Sequence, residues 1–159
     1  MIEKTLSIDY LEYSSLDELS EEDRALVETA REAMSGSYSP YSNFRVGAAL
    51  RLEDGTVIKG ANQENAAYPS GLCAERVAMF AASANHPDKA FDTLAIIAAD
   101  HGVICESPAT PCGSCRQVMA EYERKFNRPL KIILAGEKRL YKFWKVKDIL
   151  PFVFDSLKV

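Results

Sequence analysis

The sequence predicts a three-layer α-β-α fold of the α/β class, in which helices cover both faces of a mixed sheet of about five strands. Three observations lead to this prediction: an early β-hairpin, later compact apolar runs, and intervening segments with helical periodicity. Strands that alternate with helices after a hairpin are typical of such a mixed sheet. We expect residues 20–159 to form a single domain, preceded by an extension over residues 1–19, for which a short paired strand is one interpretation.

The first helix is predicted to begin after Ser20, which is a favourable N-cap residue. The acidic residues 21–23 follow it and complement the positive end of the helix dipole. Gly36 supplies a natural end to the helix. The apolar stripe between these ends is formed by Leu26, Val27, Ala30, Ala33 and Met34. This periodicity predicts an ordinary packing helix.

A β-hairpin is predicted next, because residues 45–52 and 56–61 flank an Asp-Gly turn at Asp54 and Gly55. The loop before it, residues 37–44, is rich in turn-forming and aromatic residues. The later elements follow from apolar runs and turn residues: a helix over 72–83, a buried strand over 91–99, a loop over 100–109, a helix from about 112 to 126, strands over 130–135 and 139–143, a short helix over 146–150 and an aromatic tail over 151–154.

Composition excludes several classes of function. The formal net charge is −4 and no run of lysine and arginine stands out, so nucleic acid is not an expected partner. No segment has the length of a membrane span, and the start of the chain does not have the pattern of a secretory signal. Four cysteines in such a chain indicate reduced thiols. We therefore expect a soluble cytoplasmic protein with no membrane partner.

Two short motifs carry the chemistry of the chain. The first places Glu75 two residues after Cys73, and the second is a Pro-Cys-x-x-Cys motif that contains Cys112 and Cys115. Three thiolates can bind Zn²⁺ and leave its fourth position to water, while the glutamate stays free to transfer protons. The two motifs together predict a catalytic zinc site with Glu75 as its acid and base.

The spacing of these residues constrains where they lie in their helices. Residues two apart in the middle of a helix point about 200° away from each other, so Cys73 and Glu75 converge only if Cys73 lies in the first turn. Cys112 and Cys115 are one turn apart and therefore face the same side. Either Arg76 or Arg116 is positioned to donate hydrogen bonds to the sulfurs and offset their negative charge; we favour Arg76.

Two other interpretations of the cysteines remain open at this stage. A structural zinc site has four protein ligands, and the candidates for the fourth are Cys105, His86 and His101, all outside the motifs. A redox pair would need only Cys112 and Cys115. A zinc site of three cysteines with a non-ligand glutamate and Pro-Cys-x-x-Cys is a signature of nucleobase deaminases. Hydrolytic deamination, unlike the other two interpretations, accounts for all three motif cysteines and for Glu75.

Four blocks in this order resemble the cytidine deaminase family, specifically its small homotetrameric branch. The blocks cover residues 39–50, 62–69, 73–76 and 111–117, and the resemblance extends over about residues 34–154. It implies a cytidine deaminase-like fold and zinc ligation by Cys73, Cys112 and Cys115. It also implies that Glu75 shuttles protons and that the substrate is a small nucleoside, cytidine or deoxycytidine.

The resemblance further implies roles for residues around the metal. Phe44 would pack against the pyrimidine, Asn62 and Glu64 would bind the ribose 3′-hydroxyl, and Ala74 would contribute to the substrate site. Tyr68 and Phe154 would reach a neighbouring subunit's pocket, so that active sites are shared within a homotetramer. Because Cys73 occupies the position where nucleotide- and RNA-acting relatives usually have histidine, a nucleoside is the expected substrate. Blasticidin-type deaminases have the same cysteine ligands and are an open alternative.

Overall fold

The computed structural model describes residues 1–155 of the chain and contains seven strands and three α-helices within them. The strands are β1 (Leu11–Tyr13), β2 (Phe44–Leu52), β3 (Val57–Ala61), β4 (Phe91–Asp100), β5 (Val103–Ile104), β6 (Lys131–Ala135) and β7 (Leu140–Phe143). The α-helices are α1 (Glu21–Ala33), α2 (Ala74–Asn85) and α3 (Gly113–Phe126). No helix within residues 1–155 is both long enough and apolar enough to cross a membrane.

The strands form one mixed sheet in the order β1-β7-β6-β4-β2-β3, with β5 paired to β4 beside this path. Only β4 and β6 pair in parallel, and α3 connects them; the other pairs in the sheet are antiparallel. The central strand β4 is buried almost throughout, as its apolar run from Phe91 predicts.

The helices divide between the two faces of the sheet. Helix α1 packs on one face through Leu26, Val27 and Ala30, which are buried against β2, β4 and β6. Helices α2 and α3 cover the other face, where Met79 and Met119 are fully buried. The predicted three-layer α-β-α architecture is therefore confirmed.

The sheet has two more strands than the sequence predicts. One is β1, which lies in the extension over residues 1–19 and pairs with β7, where Tyr10 also stacks on Phe143 at a ring-centroid distance of 5.5 Å. The other is β5, in the segment predicted as a loop over residues 100–109. A short paired strand was one interpretation of the extension, and β1 agrees with it, whereas β5 was not predicted. Both strands are very short and are stabilised by a partner that is remote in sequence, so the local pattern does not give their positions. The predicted short helix over 146–150 is a 3₁₀ turn at Val146–Asp148.

The topology brings the first turns of α2 and α3 to the same edge of the sheet. Strand β3 is antiparallel to β2, which is antiparallel to β4, so β3 and β4 run in the same direction. Helix α2 follows β3 in the chain, and α3 follows β4 and β5. Both helices therefore begin near the carboxyl ends of strands that point the same way, the position where α/β folds place their sites.

Candidate metal centre and active site

Three thiols meet where α2 and α3 begin. Cys73 is the N-cap residue of α2 and Cys112 is the N-cap residue of α3, while Cys115 lies one turn into α3 and is fully buried. The Sγ atoms of Cys73 and Cys112 are 3.9 Å apart, and those of Cys112 and Cys115 are 3.5 Å apart. All three sulfurs lie within 4.8 Å of one another.

These separations fit a single zinc ion. Tetrahedral coordination with Zn–S bonds of about 2.3 Å places sulfurs about 3.8 Å apart, whereas a disulfide needs a separation of about 2.05 Å. Among residues 1–155, this is the only group of three or more His, Cys, Asp or Glu side chains close enough to share an ion. Cys105, His86 and His101 do not belong to it. The arrangement has three protein ligands, which favours a catalytic over a structural metal site.

The surroundings of the sulfurs favour negative charge at Cys73. A hydrogen bond from Cys115, followed by hydrogen bonds from Arg76 and Cys112, lowers the pKa of the Cys73 thiol to about 5 although burial opposes ionisation. Conversely, the Cys115 pKa is raised, first by its hydrogen bond to Cys73 and then by burial. One thiolate is therefore stable among the three sulfurs. Ionisation of a second or third thiol requires a bound cation to offset the added negative charge.

Arg76 and Arg116 have different partners. Arg76 Nη2 lies 3.7 Å from Cys73 Sγ, and within residues 1–155 its buried Nε has no hydrogen-bond partner. Arg116 donates instead to backbone, from Nε to the Pro111 carbonyl at 2.8 Å and from Nη1 to the Ile149 carbonyl at 2.7 Å. Arg76 therefore places positive charge beside the sulfurs. Arg116 instead links the backbone just before Cys112 to the backbone at Ile149.

Glu75 lies in the first turn of α2 and is only 4% exposed. Burial raises the pKa of its carboxyl, and the negative charge on Cys73 raises it further, while its own backbone N–H and the Cys115 thiol act in the opposite direction. A raised pKa makes a carboxylate a stronger proton acceptor than an ordinary glutamate. This is the property that a proton shuttle needs.

A cavity of about 740 Å³ opens onto the thiols. Glu75, Cys73 and Cys112 are among its lining residues. Its other walls include four of the residues predicted to bind substrate: Phe44, Asn62, Glu64 and Tyr68. The structure thus brings these four side chains into one cavity with the thiols of Cys73 and Cys112, although they come from two separate segments of the chain.

Asn62 is held by hydrogen bonds that join β2 to the chain around it. Its Oδ1 accepts from Val46 N–H at 2.8 Å and from the Ser37 hydroxyl at 2.6 Å, while its Nδ2 donates to the Phe44 carbonyl at 2.9 Å. An amide nitrogen has two hydrogens, so one remains for a ligand. Asn62 therefore fixes the start of β2, including Phe44, and keeps one donor for the cavity.

The remaining predicted site residues lie apart from the cavity walls. Ala74 is fully buried and does not line the cavity; its backbone N–H lies in the first turn of α2, where helical N–H groups lack helical partners. Phe154 is 63% exposed and packs near α3, where the Gln117 side chain exchanges two hydrogen bonds with its backbone at 2.8 and 3.3 Å. Phe154 does not line the cavity of its own chain.

Comparison with known sequences identifies the family. The sequence model of the cytidine and deoxycytidylate deaminase zinc-binding region matches residues 20–127, which include all three thiols and Glu75. The chain belongs to this deaminase family. Zinc is accordingly the cofactor of the deaminase, and Cys73, Cys112 and Cys115 are the cluster that can hold it.

Individual relatives of the deaminase agree with this assignment. It is 50% identical to the cytidine deaminase of Halalkalibacterium halodurans over 132 residues, which cover 82% of this chain and 92% of the relative. It is 40% identical to the cytidine deaminase of Sporosarcina psychrophila over 131 residues, 82% of this chain and 90% of the relative. The crystal structure of the cytidine deaminase from Burkholderia pseudomallei superimposes with a TM-score of 0.69 at 39% identity, covering 82% of this chain and 97% of that chain.

Gly60 controls how closely α2 approaches the sheet, a role that sequence reasoning missed. A Cβ atom at Gly60 would lie 2.3 Å from the Ala74 carbonyl oxygen and 2.6 Å from the Ala78 nitrogen. We expect Gly60→Ala to displace the first turn of α2, lowering the free energy of unfolding by about 1–3 kcal/mol and reducing zinc retention. Chemical denaturation and metal analysis would measure both effects.

Gly36→Ala is the matched control, because a Cβ there meets its nearest neighbour, the Ala61 Cβ, at an ordinary 3.7 Å. Equal stability and equal zinc content in the two variants would contradict the role assigned to Gly60. Gly60 lies inside a predicted strand, where a glycine indicates a close backbone approach. The sequence therefore indicated a close approach at Gly60, but it did not show that α2 is the element that approaches.

Proposed function

We propose that this deaminase hydrolyses cytidine and deoxycytidine to uridine and deoxyuridine, with release of ammonia. The observation that carries the proposal is the buried carboxyl of Glu75, which lines one cavity together with the thiols of Cys73 and Cys112 and the ring of Phe44. That cavity combines a metal site, a proton shuttle and a flat apolar wall. The names and sequence identities of the relatives support the same substrate.

The reaction replaces the exocyclic amine of the base with the oxygen of water. Cys73, Cys112 and Cys115 would hold a zinc ion, which would supply the Lewis acidity that makes water a nucleophile at neutral pH. The Glu75 carboxylate accepts the first proton of the attacking water and passes it to the ring nitrogen. It then accepts the second proton from the hydroxyl group formed on the ring carbon and passes it to the amine, which leaves as ammonia. Its raised pKa suits it to both directions of transfer.

The cavity residues orient the nucleoside. Phe44 packs against the pyrimidine face, and the first-turn backbone of Ala74 offers an N–H to the base. Asn62 donates its remaining amide hydrogen to the 3′-hydroxyl of the sugar, and the Glu64 carboxylate accepts from the same hydroxyl. Because these contacts leave the 2′ position unread, ribonucleosides and deoxyribonucleosides are both substrates. The reaction then belongs to pyrimidine salvage in the cytoplasm.

We also propose that the deaminase is a homotetramer with shared active sites. Tyr68 is 81% exposed at the rim of the cavity, and the aromatic tail carries Phe152 and Phe154, which are 89% and 63% exposed. Large exposed rings of this kind mark association surfaces. Light scattering should give the mass of four chains of 17.6 kDa each, and a monomer mass would contradict the proposal.

Chromatography of reaction products tests the substrate assignment. Purified zinc-loaded protein is incubated with cytidine, deoxycytidine, the corresponding 5′-monophosphates and blasticidin S. Uridine and deoxyuridine should form rapidly from the two nucleosides. Absence of uridine from a sample that contains one zinc per chain would overturn the assignment, and turnover of blasticidin S alone would favour the alternative kind of deaminase.

A further inference from the structure

The loop before β2 surrounds the Glu64 carboxylate with hydrogen-bond donors. Glu64 Oε2 accepts from the backbone N–H groups of Tyr41 at 2.9 Å and Ser42 at 3.3 Å. Glu64 Oε1 accepts from the Ser42 hydroxyl in a short hydrogen bond. A carboxylate offers about four acceptor positions, so these three bonds leave one on Oε1. Both Ser42 and Glu64 line the cavity in which the nucleoside is proposed to bind.

The Ser42 hydroxyl is itself held in place by the backbone. Its Oγ accepts from Phe44 N–H at 3.0 Å, which leaves its single hydrogen directed at Glu64. Asn43 between them adopts the left-handed conformation with φ of 55°, and this turn places Phe44 N–H over Ser42 Oγ. The hydroxyl thus links the residue proposed to contact the base with the residue proposed to contact the sugar.

We propose that Ser42 is a positioning residue for sugar recognition: its hydroxyl fixes the Glu64 carboxylate so that the last acceptor position of Oε1 faces the 3′-hydroxyl of the nucleoside. This inference rests on the proposed function, in which Glu64 accepts from that hydroxyl. The terminal torsion of a glutamate is intrinsically broad. Without the Ser42 hydroxyl, only the two backbone N–H groups at Oε2 hold the carboxylate, and the direction of Oε1 is no longer fixed.

The ionisation of Glu64 agrees with this role. The hydrogen bond from Ser42, followed by that from Tyr41, lowers the pKa of the Glu64 carboxyl. Glu64 is therefore an acceptor only, and it discriminates between a ligand that has an O–H group at this position and one that lacks it. Selectivity for a nucleoside with a 3′-hydroxyl should therefore depend on Ser42, although the Ser42 hydroxyl donates its hydrogen to Glu64 and not to the sugar.

The test compares Ser42→Ala with the unchanged enzyme on two substrates, cytidine and 3′-deoxycytidine. For cytidine, we expect the variant to lower kcat/KM about tenfold, mainly by raising KM. A loss of this size corresponds to the loss of about one hydrogen bond to a charged group. For 3′-deoxycytidine, which lacks the hydroxyl that Glu64 reads, kcat/KM should change by less than about twofold. A loss of equal size on both substrates would show a merely structural role and overturn the inference.

A double-mutant cycle with Glu64→Ala provides a second, independent reading. If Ser42 acts through Glu64, adding Ser42→Ala to Glu64→Ala should change cytidine turnover by less than about twofold. A further tenfold loss in that background would overturn the inference. Ser35→Ala is the matched control, since the Ser35 hydroxyl donates to the Glu32 carbonyl at 2.8 Å outside the cavity. The unchanged enzyme's rate on cytidine reports separately on the proposed function.

Discussion

Replacing Glu75 with glutamine is expected to lower kcat for cytidine by about 10³- to 10⁴-fold, the upper range for loss of a positioned acid and base. Glutamine has nearly the same shape as glutamate but does not take up the proton of the attacking water. Because Glu75 is not a member of the thiol cluster, zinc content should remain at one ion per chain. Steady-state kinetics and metal analysis on the same preparation measure the two quantities.

Glu121→Gln is a suitable control for that experiment, since Glu121 lies on the exposed side of α3 and does not line the catalytic cavity. It should retain full activity. Two outcomes would remove Glu75 from the proposed mechanism: activity within tenfold of the unchanged enzyme, or loss of zinc in parallel with loss of activity. The second outcome would instead indicate that the carboxylate helps to hold the metal.

Replacing Cys112 with serine should abolish both zinc retention and turnover. Cys112 is the exposed member of the cluster, so its replacement disturbs the core less than replacement of the buried Cys115 would. With only two thiolates left, we expect zinc to fall below about 0.1 ion per chain after exposure to a mild chelator, and activity to fall at least about 10³-fold. Elemental analysis after gel filtration gives the zinc content.

Cys105→Ser provides the matched comparison, because Cys105 is the fourth cysteine and lies outside the cluster. Its backbone pairs with the Ala98 carbonyl at 3.0 Å and with the Glu137 N–H at 2.9 Å, contacts that serine retains. This variant should keep its zinc and its activity. If Cys105→Ser lost zinc as completely as Cys112→Ser, the site would have a fourth protein ligand and the structural alternative would be correct.

The redox interpretation of the cysteines makes a contrary prediction. It would require Cys112 and Cys115 to form a disulfide and Cys73 to be dispensable. In the structure, all four cysteines are free, and Cys73 Sγ lies 3.9 Å from Cys112 Sγ, a proximity that a redox pair of Cys112 and Cys115 does not need. The third thiol and the buried Glu75 have an explanation in deamination and none in thiol exchange.

Much of the site was predictable because its metal ligands and Glu75 lie in two short motifs with characteristic residue spacing. The spacing of Cys112 and Cys115 requires one helical turn, and the spacing of Cys73 and Glu75 requires the start of a helix. Both requirements are met, with Cys73 and Cys112 as N-cap residues. Local rules of this kind depend only on helix geometry, so they can be applied without knowledge of the fold.

Other features depended on contacts between distant segments. The sequence does not disclose that the Ser42 hydroxyl donates to Glu64, 22 residues away, or that Asn62 holds the start of β2. Likewise, the sequence does not show that Gly60 packs against the backbone of Ala74. Each of these contacts joins segments that meet only when strands pair or a helix packs on the sheet, and neither pairing register nor packing is a property of any one segment.

By itself, the sequence determined the types of the main helices and strands, the three-layer class and the thiols able to bind zinc, and it predicted Glu75 as the group that moves protons. Periodicity, turn chemistry and ligand spacing are local properties, and they were sufficient for those conclusions. Only the tertiary structure decided that the two helix starts meet at one sheet edge, that β1 pairs with β7 and β5 with β4, and that Phe44, Asn62, Glu64 and Tyr68 share one cavity with Glu75. Those results depend on packing and pairing across the whole chain, where many weak preferences are satisfied together.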